Sequence, residues 1–71
     1  MDSYVIAIVD DGKVMVYAGD VTVMGMTYPT FTDDYSGAYL YADWDTAHDK
    51  RVSMLPAYIG LKLIVCSIAD V

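Results

Sequence analysis

Alternating apolar and polar positions predict a β-hairpin near the start of the chain. Residues 4–9 and 13–18, YVIAIV and KVMVYA, are rich in β-branched and aromatic side chains. They flank Asp11-Gly12, a dipeptide that favours the two central positions of a type I′ turn, where both residues need a positive φ. We therefore expect two antiparallel strands joined by a tight turn.

The middle of the chain predicts further strands separated by turns. Gly19-Asp20 is the next turn signal, and VTVMGMTY (21–28) follows as a possible third strand, in which Gly25 weakens the pattern or marks a bulge. Residues 28–37 have the Pro, Thr, Asp, Ser and Gly content of a loop. AYLYA (38–42) then predicts another short strand.

The period changes after this point, and a helix is expected over residues 44–54 with one face on the sheet. It should stop before Pro56, whose ring disfavours helical geometry at Leu55. The nearly continuous apolar run LKLIVCSI (61–68) predicts a closing strand that is central or otherwise covered on both faces. The positions that define the helical spacing are Trp44, Ala47, His48, Arg51 or Val52, and Leu55.

The order β-β-β-β-α-β indicates an α+β fold: a small antiparallel or mixed sheet of four or five strands, with one helix packed on one face. The 71 residues make one domain, 1–71. A chain this short buries only about 60% of its unfolded surface, so its core supplies little net stability. Cys66 is the only cysteine, so no internal disulfide adds to it.

Composition predicts exposed apolar surface. Hydrophobic residues, with seven tyrosines among them, make up 56% of the chain, and a domain with so high a ratio of surface to volume cannot bury them all. We expect a surface for self-association, for a partner, or for both. Four of the methionines are expected to fill gaps in the core instead. They are Met15, Met24, Met26 and Met54.

The net charge of the chain limits the classes of partner that it can bind. The net charge is −6, with only four basic residues, which argues against nucleic acid or an anionic membrane as the partner, because phosphate binding needs clustered Lys and Arg. The first residues lack a positively charged leader, and no apolar run approaches the roughly 20 residues of a membrane span. A cytoplasmic location is therefore expected.

One cluster, YADWDTAHDK, has the residue types of a metal or acid/base site. All ten acids of the chain are aspartate, and three of them surround the only histidine, His48. Helix formation accounts for each member: Asp43 as the N-cap, Asp45 at the positive end of the dipole, and His48 covering the tryptophan one turn before it. Asp45 and Asp49, one turn apart, remain available to a divalent ion, but we expect neither a metal nor a cofactor.

No other chemistry-bearing pattern is present. Cys66 lies in an apolar strand and is expected to be a small buried hydrophobe rather than a nucleophile. The serines form no G-x-S-x-G elbow, and the glycines form neither a dinucleotide-binding turn nor a P-loop. We therefore expect a protein that is not an enzyme.

The remaining candidate is a partner-binding surface. The loop YPTFTDDYSG combines rigid aromatic area with negative charge, which suits a basic or Arg-bearing patch on another protein. The alternative is that some of these aromatic side chains fold back over the sheet and that the acids only solubilise the loop. The expected partner-binding residues, two of them on the helix, are Tyr28, Phe31, Asp33, Asp34, Tyr35, Asp45 and Asp49.

The chain also resembles a type of short phage or prophage protein. The resemblance covers an opening hairpin, YVIAIVDDGKVMVYAG, a segment entering a helix, FTDDYSGAYLYADWDTA, and a closing strand, LKLIVCSI. In size and charge the chain is similar to phage-encoded inhibitors of host defence such as anti-CRISPR proteins. The residues that carry the central segment are Phe31, Thr32, Asp34, Ala38, Leu40, Tyr41, Asp43 and Ala47.

Taken with this resemblance, the sequence predicts a protein-binding module that inhibits a host defence protein, such as a nuclease or a sensor, by occupying its functional surface. Binding energy would concentrate in a few aromatic residues. Two alternatives stay open: a homo-oligomeric structural or assembly protein, of which a homodimer is one form, and an acidic mimic of nucleic acid. The dispersal of the aspartates along the chain favours the aromatic contact over mimicry.

Overall fold

A computed structural model describes residues 3–70 as a four-stranded antiparallel sheet with one helix packed against it, which confirms the α+β class. The sheet order is β3-β2-β1-β4. Three short 3-10 turns cover Tyr35–Gly37, Leu55–Tyr58 and Ile68–Asp70. The main elements are β1 (Tyr4–Asp10), β2 (Lys13–Val23), β3 (Met26–Thr32), α1 (Trp44–Met54) and β4 (Lys62–Ser67).

The first hairpin forms as its turn chemistry predicts. Asp11 and Gly12 have φ values of 50° and 80°, the two positive values that a type I′ turn requires. Asp10 pairs with Lys13 across the turn, and the register runs on to Ala7 opposite Val16.

The predicted third strand at 21–28 is wrong, because a second tight turn divides it. Met24 and Gly25 have φ values of 53° and 79°, so Val23 ends β2 and Met26 begins β3. Half of the predicted loop 28–37 consequently belongs to β3. The missed signal was weak, because a methionine rarely takes the first position of such a turn.

Gly19-Asp20 is also not the turn that the sequence predicts. The register between β2 and β3 shifts between Tyr17 and Gly19, which marks a bulge, and Gly19 has a φ of 105°. β2 therefore continues through this point as one strand, and its two halves have different partners. The first half pairs with β1, and from Val16 onward β2 pairs with β3.

The predicted strand at 38–42 reduces to a single bridge. Tyr41 exchanges two backbone hydrogen bonds of 2.9 Å with Tyr4, and the Tyr39 amide donates to the Tyr17 carbonyl at 2.8 Å. This segment thus fills the gap that opens where β1 and β2 diverge. Tyr41 bonds to β1 and Tyr39 bonds to β2, but the segment pairs with each strand through one residue only and so forms no strand of its own.

The helix has the predicted bounds but a different buried face. Ala47 and Met54 are its buried residues, whereas Trp44 and Val52 are exposed, as is Leu55 just after it. The helical spacing predicted that these three side chains face the sheet. That prediction is wrong, because the apolar residues of α1 lie on more than one side of the helix. The helix is fixed to the sheet in part through Arg51, whose guanidinium donates to the Leu63 carbonyl at 3.3 Å.

The closing strand is an edge strand, so the first of the two predicted settings, a central β4, is wrong. The second, coverage on both faces, is confirmed: Leu63 packs in the cluster under α1, and Ile64 packs against the cluster on the other face. β1 and β2 are the two inner strands, and β1 is the more buried: its four consecutive residues from Val5 to Ile8 are all buried. In β4 only Leu63 is fully buried. An apolar run without alternation cannot distinguish a central strand from an edge strand whose two faces are each half-covered.

Two apolar clusters lie on opposite faces of the sheet. The larger lies under α1 and includes Ile6, Tyr17 and Met54; the smaller, on the outer face away from α1, consists of Val5, Ala7 and Val16. Cys66 is half-buried against the smaller cluster. Met15 and Met54 fill the core as predicted, but Met24 and Met26 are exposed, contrary to the prediction.

Candidate partner-binding surfaces

The aromatic residues predicted to share one loop patch are separated by the alternation of β3. Phe31 lies on the face of the sheet that α1 covers. Its ring centroid is 6.0 Å from that of Tyr17 and 5.4 Å from that of Tyr58. Phe31 is half-buried, as expected if its side chain folds back over the sheet instead of contacting a partner. Tyr28, three residues away, lies on the outer face and remains exposed; its hydroxyl donates to the Met26 sulfur at 3.2 Å.

The acids of the predicted loop patch follow β3. Asp34 caps the first 3-10 turn, accepting from the Ser36 amide at 3.1 Å and from its hydroxyl at 2.7 Å, and these bonds lower the pKa of Asp34. Asp33 and Tyr35 are exposed beside it. This segment is thus a capped turn at the end of β3.

The far end of the second hairpin forms an arm, residues 20–29, with two chemically different faces. Val21 is opposite Tyr28, and Val23 is opposite Met26. Directly opposed residues share a face, and residues two apart on one strand do too, so these four side chains form one apolar surface. We call this surface the arm patch: Val21, Val23, Met26 and Tyr28.

The other face of the arm is polar and turns toward α1. Asp20 accepts from the Tyr17 hydroxyl at 2.5 Å and from Lys50 of the helix at 2.9 Å, while Thr22 and Thr27 share a hydrogen bond of 3.1 Å. These bonds lower the pKa of Asp20, whereas burial, followed by the bond to Asp20, raises the pKa of Tyr17. Since this face meets the helix, the arm patch must lie on the opposite, outer face of the sheet.

A shallow groove runs between this polar face and the end of the helix. Thr27 and Pro29 form one wall, and Ser53 and Ala57 form part of the other. The Asp20–Lys50 ion pair crosses it, so the charges that line the groove are already matched to each other.

The outer side of α1 carries an exposed aromatic residue in a fixed position. The Trp44 side chain is 45% exposed, and its ring stacks on His48 with centroids 4.6 Å apart and planes at 11°. Arg51 approaches His48 Nδ1 at 3.1 Å. A guanidinium only donates, so Nδ1 is the acceptor in this contact.

Three carboxylates accompany this stack, and one of them caps the helix. Asp43 is the N-cap as predicted: it accepts from the Thr46 amide at 2.8 Å, and this bond is the main cause of its lowered pKa. Asp45 and Asp49 are exposed one turn apart, and within the described residues neither carboxylate has a hydrogen-bond or ion-pair partner. We call Trp44, Asp45 and Asp49 the helix surface.

The described part of the chain does not gather its acids and its histidine into a metal site. Within residues 3–70, no group of three or more His, Cys, Asp or Glu side chains lies close enough to hold an ion. His48 is committed to Trp44 and Arg51, and Asp43 to its cap. No helix among these residues has the length and apolar character needed to span a membrane.

Sequence reasoning missed several exposed apolar residues that are candidates for a contact. Trp44 was counted as part of the inward helix face, and Val23 and Met26 were placed in one strand rather than on either side of a turn. The glycine after Met24 was the only signal for that turn. Asp45 and Asp49, by contrast, lie exposed on the helix that the pattern predicts.

Comparison with protein-family models, with curated proteins and with solved structures finds no match for this chain.

Proposed function

We propose that this chain is a protein-binding module that covers a functional surface of another protein, and that the helix surface makes the contact. The observation that carries the proposal is an exposed tryptophan, Trp44, held in place by His48 and flanked by two unpaired carboxylates. A ring that is already fixed loses little conformational entropy on binding. Tryptophan is also among the residues that dominate the binding energy of protein interfaces.

The charge of the helix surface selects the kind of partner. Asp45 and Asp49 lack intramolecular partners, and the net charge of the chain is −6, so basic proteins are attracted and acidic ones are repelled. Arginine is favoured in such a partner, because its guanidinium can pair with a carboxylate and stack on an indole ring.

The more specific form of the proposal is an inhibitor of a host defence protein that acts in the host cytoplasm. This form depends on the resemblance of the chain, in size and charge, to phage-encoded inhibitors. A nuclease or a nucleic-acid sensor suits it, because such proteins present basic residues to their substrates.

Mimicry of nucleic acid by the aspartates is the less favoured mechanism. Mimicry needs carboxylates in a continuous row, and the acids of this chain are spread over the first hairpin turn, the segment after β3 and the helix. On α1 the row has only two members, Asp45 and Asp49. Contact through Trp44 is therefore the favoured mechanism of binding.

The test is capture of a partner from bacterial lysate by the immobilised chain and by three variants. Trp44→Ala should weaken binding about tenfold or more, as expected for a central aromatic contact. Asp45→Asn with Asp49→Asn should weaken it less and remove most of its salt dependence, because screened charge contributes that part. Val14→Ala, at an exposed apolar residue of β2 away from the helix surface, is the matched control and should bind as the wild type does.

Circular dichroism must first show that Trp44→Ala keeps its helix. If the folded Trp44→Ala variant and the double Asn variant both retain a captured protein as well as the wild type does, the helix surface is not the contact. If the affinity falls steeply with salt even in the Trp44→Ala variant, mimicry by charge replaces the aromatic contact.

A further inference from the structure

We propose that the arm patch is the contact through which two copies of this chain form a two-fold symmetric dimer. The patch lies on the face opposite α1 and is separate from the helix surface, so this proposal does not depend on the function proposed above. Four cross-paired side chains form it, each between 44% and 58% exposed.

The chain itself does not cover the arm patch in its described part. α1 packs on the opposite face of the sheet, and the side chains that close the outer-face cluster, among them Ala38 and Ile68, contact Val5, Ala7 and Val16 near the middle of the sheet. All residues from Asp20 to Tyr28 are exposed. A contiguous apolar face of this kind is typical of a contact with another protein.

Charge favours a second copy as the occupant. Residues 21–32 contain no charged side chain, although the chain as a whole carries a net charge of −6. The acid before this stretch, Asp20, is paired with Lys50. Two copies that meet anywhere along their acidic surfaces bring like charges together, whereas two arm patches meet without that repulsion.

Symmetry leads to the same conclusion. In a two-fold contact each patch faces its own copy, so the patch must be complementary to itself. An acidic patch fails this condition, and an uncharged face of Val, Met and Tyr satisfies it. A basic foreign partner would find no carboxylate on the arm patch to pair with.

The turn at the end of the arm is an independent sign of contact. Met24 is 98% exposed and has a φ of 53°, a left-handed conformation that costs an ordinary residue stability. Its side chain gains nothing from its own fold in return. An exposed apolar side chain held in an unfavourable backbone conformation is a feature of binding sites.

The edge of the sheet limits how the two copies meet. β3 is an edge strand, and Pro29 lies in it without the N–H group that a neighbouring strand needs. The copies should therefore pack arm face on arm face rather than extend the sheet through its edge. Face-to-face packing closes after two copies, and it leaves both helix surfaces accessible.

The test measures molecular mass by sedimentation over protein concentrations from micromolar to millimolar. The wild type should rise from the 7.8 kDa monomer toward twice that mass and then stop. Val23→Thr with Met26→Thr keeps charge and strand propensity, and should weaken association at least tenfold. Val23→Lys with Met26→Lys should abolish it.

The matched control places the same two lysines on the other face of the arm. Thr22→Lys with Thr27→Lys has the same net charge and the same pair of strands, and should still dimerise more tightly than the apolar-face lysine variant. Raising the salt to about 0.5 M should strengthen association of the wild type, because it screens the repulsion between two acidic chains. Circular dichroism checks that each variant is folded.

Three outcomes would overturn the proposal. The first is a monomer at every concentration; if arm variants of that monomer also lose a captured protein, the occupant is a foreign partner. The second is a dimer that survives Val23→Lys with Met26→Lys, which places the contact elsewhere. The third is a mass that keeps growing past two copies, as edge pairing of strands would produce.

Discussion

At the residue scale, Met24 and Asp11 occupy equivalent positions in two tight turns, and their chemistry differs. Both have φ near 50° and both are followed by a glycine. The short side chain of aspartate tolerates this left-handed conformation, whereas a methionine at the same position raises the free energy of the folded state. The second hairpin therefore has a less favourable turn than the first.

Replacing Met24 with asparagine should stabilise the protein and weaken the proposed self-association. The expected gain is about 1 kcal/mol in the free energy of unfolding, because asparagine is among the residues that suit this turn position. Urea denaturation of dilute protein measures the stability, and sedimentation measures the association. Asp11→Asn is the matched control and should change stability little, so equal effects of the two variants would contradict the account of the turn.

At the element scale, the bulge in β2 determines where the arm begins. It shifts the register between Tyr17 and Gly19, so that the same strand pairs with β1 in its first half and with β3 beyond. The gap left beside β1 is filled by the segment that contains Tyr39 and Tyr41. One irregular residue thus links the hairpin arm to the segment that leads into the helix.

Gly19→Ala should destabilise the protein by about 1–3 kcal/mol, because its φ of 105° suits only glycine. An added Cβ would lie 3.6 Å from Tyr39 Cδ2, an ordinary contact, so the loss comes from the backbone rather than from a clash. Thermal denaturation measures the effect.

Gly37→Ala serves as the control for this substitution. Its Cβ would lie at a similar 3.5 Å from Thr32 Cγ2, but the position has no positive φ. It should change the free energy of unfolding by less than about 0.5 kcal/mol. Equal losses at both glycines would show that packing, not the backbone conformation, limits these sites.

At the scale of the whole molecule, the carboxylates connect stability to pH. Hydrogen bonds lower the pKa of three of them: Asp20 through Tyr17 and Lys50, Asp34 through Ser36, and Asp43 mainly through the Thr46 amide. The folded state binds their protons more weakly than the unfolded chain does. This stability is present above the ordinary carboxyl pKa of 3.8 and is lost as the pH falls through the lower folded values.

The free energy of unfolding should therefore fall as the pH drops from about 5 to below 3. It should also fall above pH 10, since the raised pKa of Tyr17 means that the unfolded chain loses that proton first. Urea denaturation at each pH measures both limbs. Asp43→Asn retains an acceptor for the cap and should flatten the acid limb; a profile that is level from pH 2 to 5 in the wild type would contradict these assignments.

Local chemistry in the sequence determined the elements that depend on few residues. Asp11-Gly12 specifies its turn because both positions need a positive φ, and Asp43 specifies the start of α1 because its carboxylate reaches the Thr46 amide. The class of fold followed from these signals together with the apolar runs. Exposed apolar surface followed from length and composition, because 71 residues cannot bury so many hydrophobic side chains.

Tertiary structure alone decided which side chains meet and which remain exposed. Phe31 packs against the core and Tyr28 lies exposed on the outer face, because side chains alternate between the two faces of β3. A loop would not impose this alternation. Trp44 became a surface residue because α1 turns Ala47 and Met54 to the sheet, and helical spacing fits more than one such orientation. Orientation depends on the sum of many weak contacts between distant elements, and a pattern read along one segment does not contain that sum.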